Sequence, residues 1–249
     1  MLISAIRSVA LFGGIFLLPL FLQQLMGLSA VQSGLMLMPG SLIIAFVMPV
    51  VGWLSDRSSP RLLVFLGLLV TAYSMYLYTD ISIYMSYWDI LWPTIIRGVG
   101  MCLLMAPIMT LALNAVSRHK AGMASSMMSI IQQVGGAIGI AVLSTVLANR
   151  SKFHMNNPGP ALNTNLSAFT KASHALASRA HDLGLSHLNS VMVAKGALVK
   201  YFYVAQMNFA FQDAFFFAMI IILFSLLATV LLPNHNVIHH SHERVVVGE

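Results

Sequence analysis

From Ser8 to Ser55 the chain runs without a single Asp, Glu, Lys or Arg, and the run stops abruptly at Gly52-Trp53-Leu54-Ser55-Asp56-Arg57-Ser58-Ser59-Pro60-Arg61. So long an uncharged stretch does not fit the core of a soluble domain of this size. A helix crossing a bilayer needs only ~20 apolar residues, so the stretch holds two such helices and a turn, closed by a charged hairpin. The rest of the chain agrees. It is 58% hydrophobic and 8% charged, where soluble domains carry about 25% charged residues.

Backbone N–H and C=O groups in hydrocarbon must bond within the protein. Strands apolar on both faces would not close a barrel, whose strands alternate every second residue. An all-α membrane protein with six transmembrane helices is therefore predicted. The spans read as 7–25, 33–54, 61–79, 89–117, 121–149 and a last one from Asp213 to Pro233. Residues 1–149 thus carry five helices, 150–210 a long extracytoplasmic helical loop, 211–233 the last helix and 234–249 a tail. The apolar start could pass for a secretory signal, but it is too long and Gln23-Gln24 stands where a small-residue cleavage site belongs.

Orientation follows from the short loops. Arg57 and Arg61 follow span two, Arg118 and Lys120 follow span four, and the turns after spans one and three carry no Lys or Arg. Short basic loops stay in the cytoplasm, which puts both termini inside and 150–210 outside. Within that outer segment, Asn156-Asn157-Pro158-Gly159-Pro160 is a turn-rich break. The stretches around Leu166–Leu183 and Leu188–Phe209 read as amphipathic helices, lying on the membrane surface or forming a hairpin that shortens the connection. Two glycosylation sequons, at Asn149 and Asn165, matter only in a eukaryotic secretory route.

The net charge of +6 is spread over loops without interleaved aromatics, so it marks topology rather than a nucleic-acid surface. The single Cys102 rules out an intrachain disulfide. Seventeen Met residues read as flexible filler between helices or as the lining of a binding cavity. No nucleophile triad, phosphate-cradling glycine loop or paired carboxylate is present, so no enzyme and no cofactor are expected. His235, His239, His240 and His242 read as a metal cluster only if helical, and otherwise as a cytoplasmic tail.

A few residues stand out against the apolar background. Asp56, Arg57 and Arg61 read either as solvated anchors or as a charged lock between neighbouring helices. Arg97 is the one basic residue within a span, snorkelling to the outer surface or facing a central cavity. Gly135 and Gly139 form G-x-x-x-G, in line with Ala121, Ser125 and Ser129, a stripe suited to close helix packing or to a sliding seam between bundles. Gln132 and Gln133 bring hydrogen-bonding groups to membrane depth, with Gly136 beside them. Asp213 reads as a titrating carboxylate or as an acid capping the last span.

Gly52-x-Leu54-x-Asp56-Arg57-x-x-x-Arg61 resembles the loop motif G-x-L-x-D-R-x-G-R-K/R of the major facilitator superfamily, with Ser59-Pro60 where that pattern has Gly-Arg. Phe16–Gln23 and Ser33-Gly34-Leu35-x-Leu37-x-Pro39-Gly40 resemble helices nine and ten of fourteen-helix drug:proton antiporters of the EmrB/QacA type. Arg97-Gly98-Val99-Gly100 and Gln133-Val134-Gly135-Gly136-Ala137-Ile138-Gly139 resemble helices twelve and thirteen, and Ala205-Gln206 with Gln212-Asp213-Ala214-Phe215 the approach to helix fourteen.

The resemblance implies the C-terminal bundle of a multidrug efflux antiporter in the cell (inner) membrane, about half of a full member. Such a protein exchanges amphipathic or cationic drugs for protons. Gly52, Asp56, Arg57 and Arg61 would then gate the cytoplasmic side, and Arg97, Gln132, Gln133, Gly135, Gly136 and Gly139 would line the bundle interface. The expected partners are membrane lipid, drug-like molecules and protons, a separate N-terminal half or a periplasmic adaptor, and no nucleic acid. A truncated, non-transporting membrane fragment and a half-transporter needing a separate N-terminal half are the rival readings.

Overall fold

The computed structural model describes residues 2–114, 121–157, 178 and 187–231. The basic turn at Arg118 and Lys120, the Leu166–Leu183 stretch and the histidine tail lie outside the described residues. The described chain is helical, in six long segments. These are α1 (Leu2–Gln24), α2 (Ala30–Arg57), α3 (Pro60–Leu77), α4 (Tyr87–Asn114), α5 (Ala121–Asn156) and α6 (His187–Leu231), with a 3-10 turn at Tyr78–Asp80. Among the described residues five of them contain stretches long and apolar enough to cross a membrane, and α1 adds a shorter apolar stretch at Gly14–Gln24.

Local chemistry sets the breaks. Gly27 adopts φ +69 in the turn after α1, a left-handed conformation that side chains with a Cβ resist, and Leu28 N–H reaches back to Leu22 O at 3.1 Å. Ser29 then caps α2. Its Oγ accepts from Gln32 N–H at 3.2 Å, and Gln32 Oε1 accepts from Ser29 N–H at 2.9 Å, so two otherwise unpaired amide donors are satisfied reciprocally. Pro60 opens α3 at a position where its missing N–H costs nothing. Pro19, Pro39 and Pro49 sit inside helices, which membrane helices tolerate when neighbours satisfy the freed carbonyls.

The helices pack α1 on α5 and α6, α3 on α4 and α6, α2 on α4, and α5 on α6. The core collects where α6 meets α1 and α3. Phe211 meets Phe21 edge-on at 5.4 Å, and Phe215 stacks on Tyr78 at 5.1 Å. Leu17, Leu18, Leu22, Leu68, Met75, Leu143 and Ile222 close around them. Outside this core the usual soluble pattern is inverted. Val31, Leu35, Leu42, Phe46 and Trp53 stand exposed along α2, whereas Thr71, Ser74, Thr94 and Gln206 are buried. Several buried hydroxyls are satisfied at close range, Ser74 donating to Pro93 O at 2.8 Å, Thr94 to Ile90 O at 2.7 Å, and Tyr78 Oη pairing with Thr94 Oγ1 at 2.7 Å, whereas Ser55 Oγ and Ser225 Oγ are buried without a partner. Apolar side chains turned outward and polar ones bonded inward suit a hydrocarbon surround.

Two boundaries differ from those the sequence suggests. Helix α5 does not stop at Asn149 but continues to Asn156, and α6 starts at His187 rather than near residue 211. The segment 150–210 is thus helical at both of its ends. Charge marks where a helix leaves hydrocarbon, but its backbone ladder does not require lipid and continues past that level. At 1.5 Å per residue α6 is about 67 Å long, roughly twice the ~30 Å hydrocarbon thickness.

Helices α3 and α4 approach each other closely at Gly100. A Cβ added at Gly100 would collide with Thr71 Oγ1 and lie 3.0 Å from Thr71 N and 3.2 Å from Gly67 O. The Thr71 hydroxyl is already committed to Gly67 O at 2.7 Å, so it cannot swing aside freely. A Cβ at Gly52 would meet nothing within 4 Å. Gly100→Ala is therefore expected to destabilise the purified protein by about 1–3 kcal/mol, read as a lower thermal midpoint in detergent. Gly52→Ala should leave the midpoint unchanged or raise it slightly, and equal midpoints for both variants would contradict the packing described here.

Candidate functional site

The polar residues of the bundle fall at three levels along its axis. The first is the end that carries the hairpin between α2 and α3. Arg57 is exposed there and lies flat over the Trp53 ring, 4.2 Å from its centroid, one helical turn back on the same face. Arg61 turns the other way. Its Nη2 donates to Thr229 O of α6 at 3.1 Å, which ties the hairpin to that helix. Two arginines four residues apart thus take different partners. Asp56 lies in the last turn of α2, with its side chain outside what the structure describes, and Gly52 is half-buried on the same helix.

The second level is mid-bundle. Arg97 on α4 is half-buried, and its Nη1 donates to Gly14 O of α1 at 3.3 Å. This one contact spans from α4 to a helix with which α4 makes little other packing. On α5, Gly135, Gly136 and Gly139 are buried, Gln132 is half-buried and Gln133 exposed. A Cβ at Gly136 would lie 2.9 Å from Phe12 Cγ of α1, so at this point the small-residue stripe is filled from within the bundle. The face open for a second bundle is a different one, where Met123, Met127, Ile130, Val134, Ile138 and Val142 stand exposed.

The third level is the far end, opposite the hairpin. Asp213 belongs to the interior of α6, well past the helix start at His187. The capping role considered from sequence is thereby excluded, since only the first turn of a helix has amide donors to spare. Instead Asp213 Oδ2 is bonded to His154 Nε2 of α5 at 2.8 Å and faces Arg150 Nε at 3.7 Å. Phe153 and Phe209 flank the imidazole at 5.5 and 5.9 Å, and the Arg150 guanidinium lies 5.5 Å from the Phe217 ring centre. Two further contacts tie down this end: Gln212 Nε2 donates to Ile81 O at 2.8 Å, and Tyr84 Oη donates to Tyr201 Oη at 3.4 Å. The Tyr201 contact pushes the Tyr84 phenol above its ordinary pKa.

Sequence reasoning found Asp213 and missed its partners. Arg150 and His154 were assigned to an outer loop because α5 was ended at the first charge after Ala121. The usable signal was their spacing of four, which places both on one face if the helix continues. Among the described residues no cluster of three or more His, Cys, Asp or Glu side chains is placed to hold a metal ion.

Comparison with known proteins adds lineage to this geometry. Residues 1–140 match the model of the Major Facilitator Superfamily. The chain is 40% identical over 152 residues to the uncharacterized MFS-type transporter YhcA of Bacillus subtilis, an alignment covering 61% of this chain and 29% of the relative. It is 23% identical over 206 residues to the colistin resistance protein EmrB of Acinetobacter baumannii, covering 83% of this chain and 40% of the relative. It is 34% identical over 145 residues to a multidrug resistance protein B homolog of Mycobacterium tuberculosis, covering 57% and 27%. The chain thus matches at most 40% of the length of each of these three relatives.

The two hairpin arginines make a sharp comparison. Arg61→Ala, which strips a charged donor from a carbonyl at the end of α6, should lower stability in detergent by about 1.5–3 kcal/mol. Arg57→Ala, which removes an exposed contact with one ring, should cost no more than about 1 kcal/mol. Thermal midpoints of the two variants, measured side by side, decide whether α6 is anchored through Arg61.

Proposed function

Because the chain belongs to the major facilitator superfamily, and so to multi-pass membrane transport proteins rather than enzymes, we propose that it forms the C-terminal six-helix bundle of a multidrug efflux transporter. On this reading it acts with an N-terminal bundle, by alternating access, to export amphipathic or cationic drug-like molecules in exchange for protons. Transporters of this kind bind substrate near the bilayer midplane between two repeats that rock against each other. The observation that carries the proposal is the Arg61 contact with the end of α6. It gives a residue of the matched loop motif a physical task, tying the hairpin to the last helix on one side of the membrane. Asp56, Arg57 and Gly52 complete that gate.

The hairpin end is assigned to the cytoplasm, together with both termini, and the Asp213 end to the outer face of the cell (inner) membrane. Arg97 fixes α4 against α1 at mid-depth. The exposed stripe of α5 and the outward face of α2 supply the surfaces on which an N-terminal bundle rocks. Resistance functions named for the relatives, to colistin and to multiple drugs, support an efflux role.

Ethidium efflux from cells lacking their own drug pumps tests the proposal. Cells making the chain together with an N-terminal bundle of a close relative should export the dye several-fold faster than control cells. A protonophore should abolish that export, and Asp56→Asn should reduce it at least tenfold. Export by the chain alone would remove the need for a companion, and no export in either setting would overturn the transport reading.

A further inference from the structure

The far-end cluster joins a carboxylate, an imidazole and a guanidinium across two helices. We propose that the His154–Asp213 pair is the site where the bundle takes up a proton from the outer aqueous phase, with His154 as the group that carries it. The inference rests on the antiport reading above and gives it an atom.

The geometry sets the chemistry. An ionised Asp213 is an acceptor only, so at 2.8 Å the hydrogen between it and Nε2 belongs to the imidazole. This leaves the Nδ1 lone pair of neutral His154 free. A proton delivered there by hydronium breaks one O–H bond of the donor, forms the Nδ1–H bond, releases water, and leaves an imidazolium whose Nε2–H still rests on Asp213. Release reverses the step. Arg150 lies on the same carboxylate oxygen at 3.7 Å, so the cluster passes between a charge-balanced state and one with an extra positive charge. The Phe153, Phe209 and Phe217 rings give this exchange an apolar surround, in which charge interactions are felt more strongly than in water.

The neighbouring elements supply no competing partner among the described residues. On α5 the remaining charge is Lys152, which is exposed. On α6 the adjacent Gln212 is neutral and committed to Ile81 O. On α1, which packs against both helices, this end carries only Gln23 and Gln24. The turn beside α6 contributes Tyr78, bonded to Thr94, and the exposed Asp80. His154 and Asp213 are both partly open at the surface of the bundle, with 22% and 35% of their side chains exposed, at the end opposite the hairpin.

The test is a histidine NMR titration of the purified chain in lipid nanodiscs, with the His154 signal identified among nine histidines by its loss in His154→Gln. The His154 ring signal should move with pH across the range in which imidazoles titrate. Asp213→Asn should change its midpoint, because the variant removes the carboxylate that holds the ring. A ring signal that does not move, or a midpoint unaffected by Asp213→Asn, overturns the proposal. Coupling is read separately, in vesicles holding the chain with an N-terminal bundle. His154→Gln, which keeps a hydrogen-bond donor but cannot titrate, should flatten the pH dependence of dye-driven proton movement. A titrating His154 in a protein whose dye transport moves no protons would sink the antiport reading while leaving the protonation site in place.

Discussion

The demand that polar groups find partners inside the protein, because lipid offers none, governs this structure. It explains why the described chain is helical, since a helix bonds its own backbone. It also accounts for the bonding of the buried Thr71, Ser74, Tyr78 and Thr94 hydroxyls to carbonyls or to each other. Thr71, Ser74 and Thr94 each return to a carbonyl, two within their own helix and one across to its neighbour. The same demand decides where large apolar side chains go. With hydrocarbon outside, Phe46 and Trp53 gain nothing from burial, and α2 presents them outward.

Charged groups obey that demand by moving to the ends of the bundle or by reaching for backbone. Arg61 and Arg97 both donate to main-chain carbonyls of other helices. A guanidinium has five donors and cannot be neutralised, so each arginine ties down whichever segment offers it an oxygen. For Arg61 that segment is the end of α6, and for Arg97 it is mid-α1. Both contacts bridge helices far apart in sequence, and both resist separation of those helices. The far-end cluster differs in kind. Its imidazole can gain or lose a proton without breaking the hydrogen bond to Asp213, which makes it suited to respond to pH rather than simply to hold.

Helix α6 connects these levels. It contributes Phe211 and Phe215 to the core, Thr229 O to Arg61, and Asp213 to His154 and Arg150. From Thr229 to Asp213 is 16 residues, about 24 Å along a helix, most of a bilayer's hydrocarbon thickness. A change in protonation at one end and a change in hairpin contact at the other therefore act on a single rod, and the proposed function uses this continuity to link the two faces of the membrane.

The sequence by itself determined the solvent and the secondary structure. The charge-free run from Ser8 to Ser55 could belong only to lipid-facing helices, and the turn at Gly27 and the hairpin before Pro60 were legible because breakers act locally. The loop motif around Asp56 and the approach to the last helix at Asp213 were legible as well. What only the tertiary structure decided was partnership. Arg61 and Thr229 are 168 positions apart, His154 and Asp213 are 59 apart, and no local rule connects either pair. The periodic stretch from Leu188 was legible as helix, and the structure joins it to the span beyond Asp213 in one rod, while α5 continues past the charge-free run to Asn156. Periodicity and charge are properties of one segment, whereas a site is made by two segments meeting, and only packing settles which ones meet.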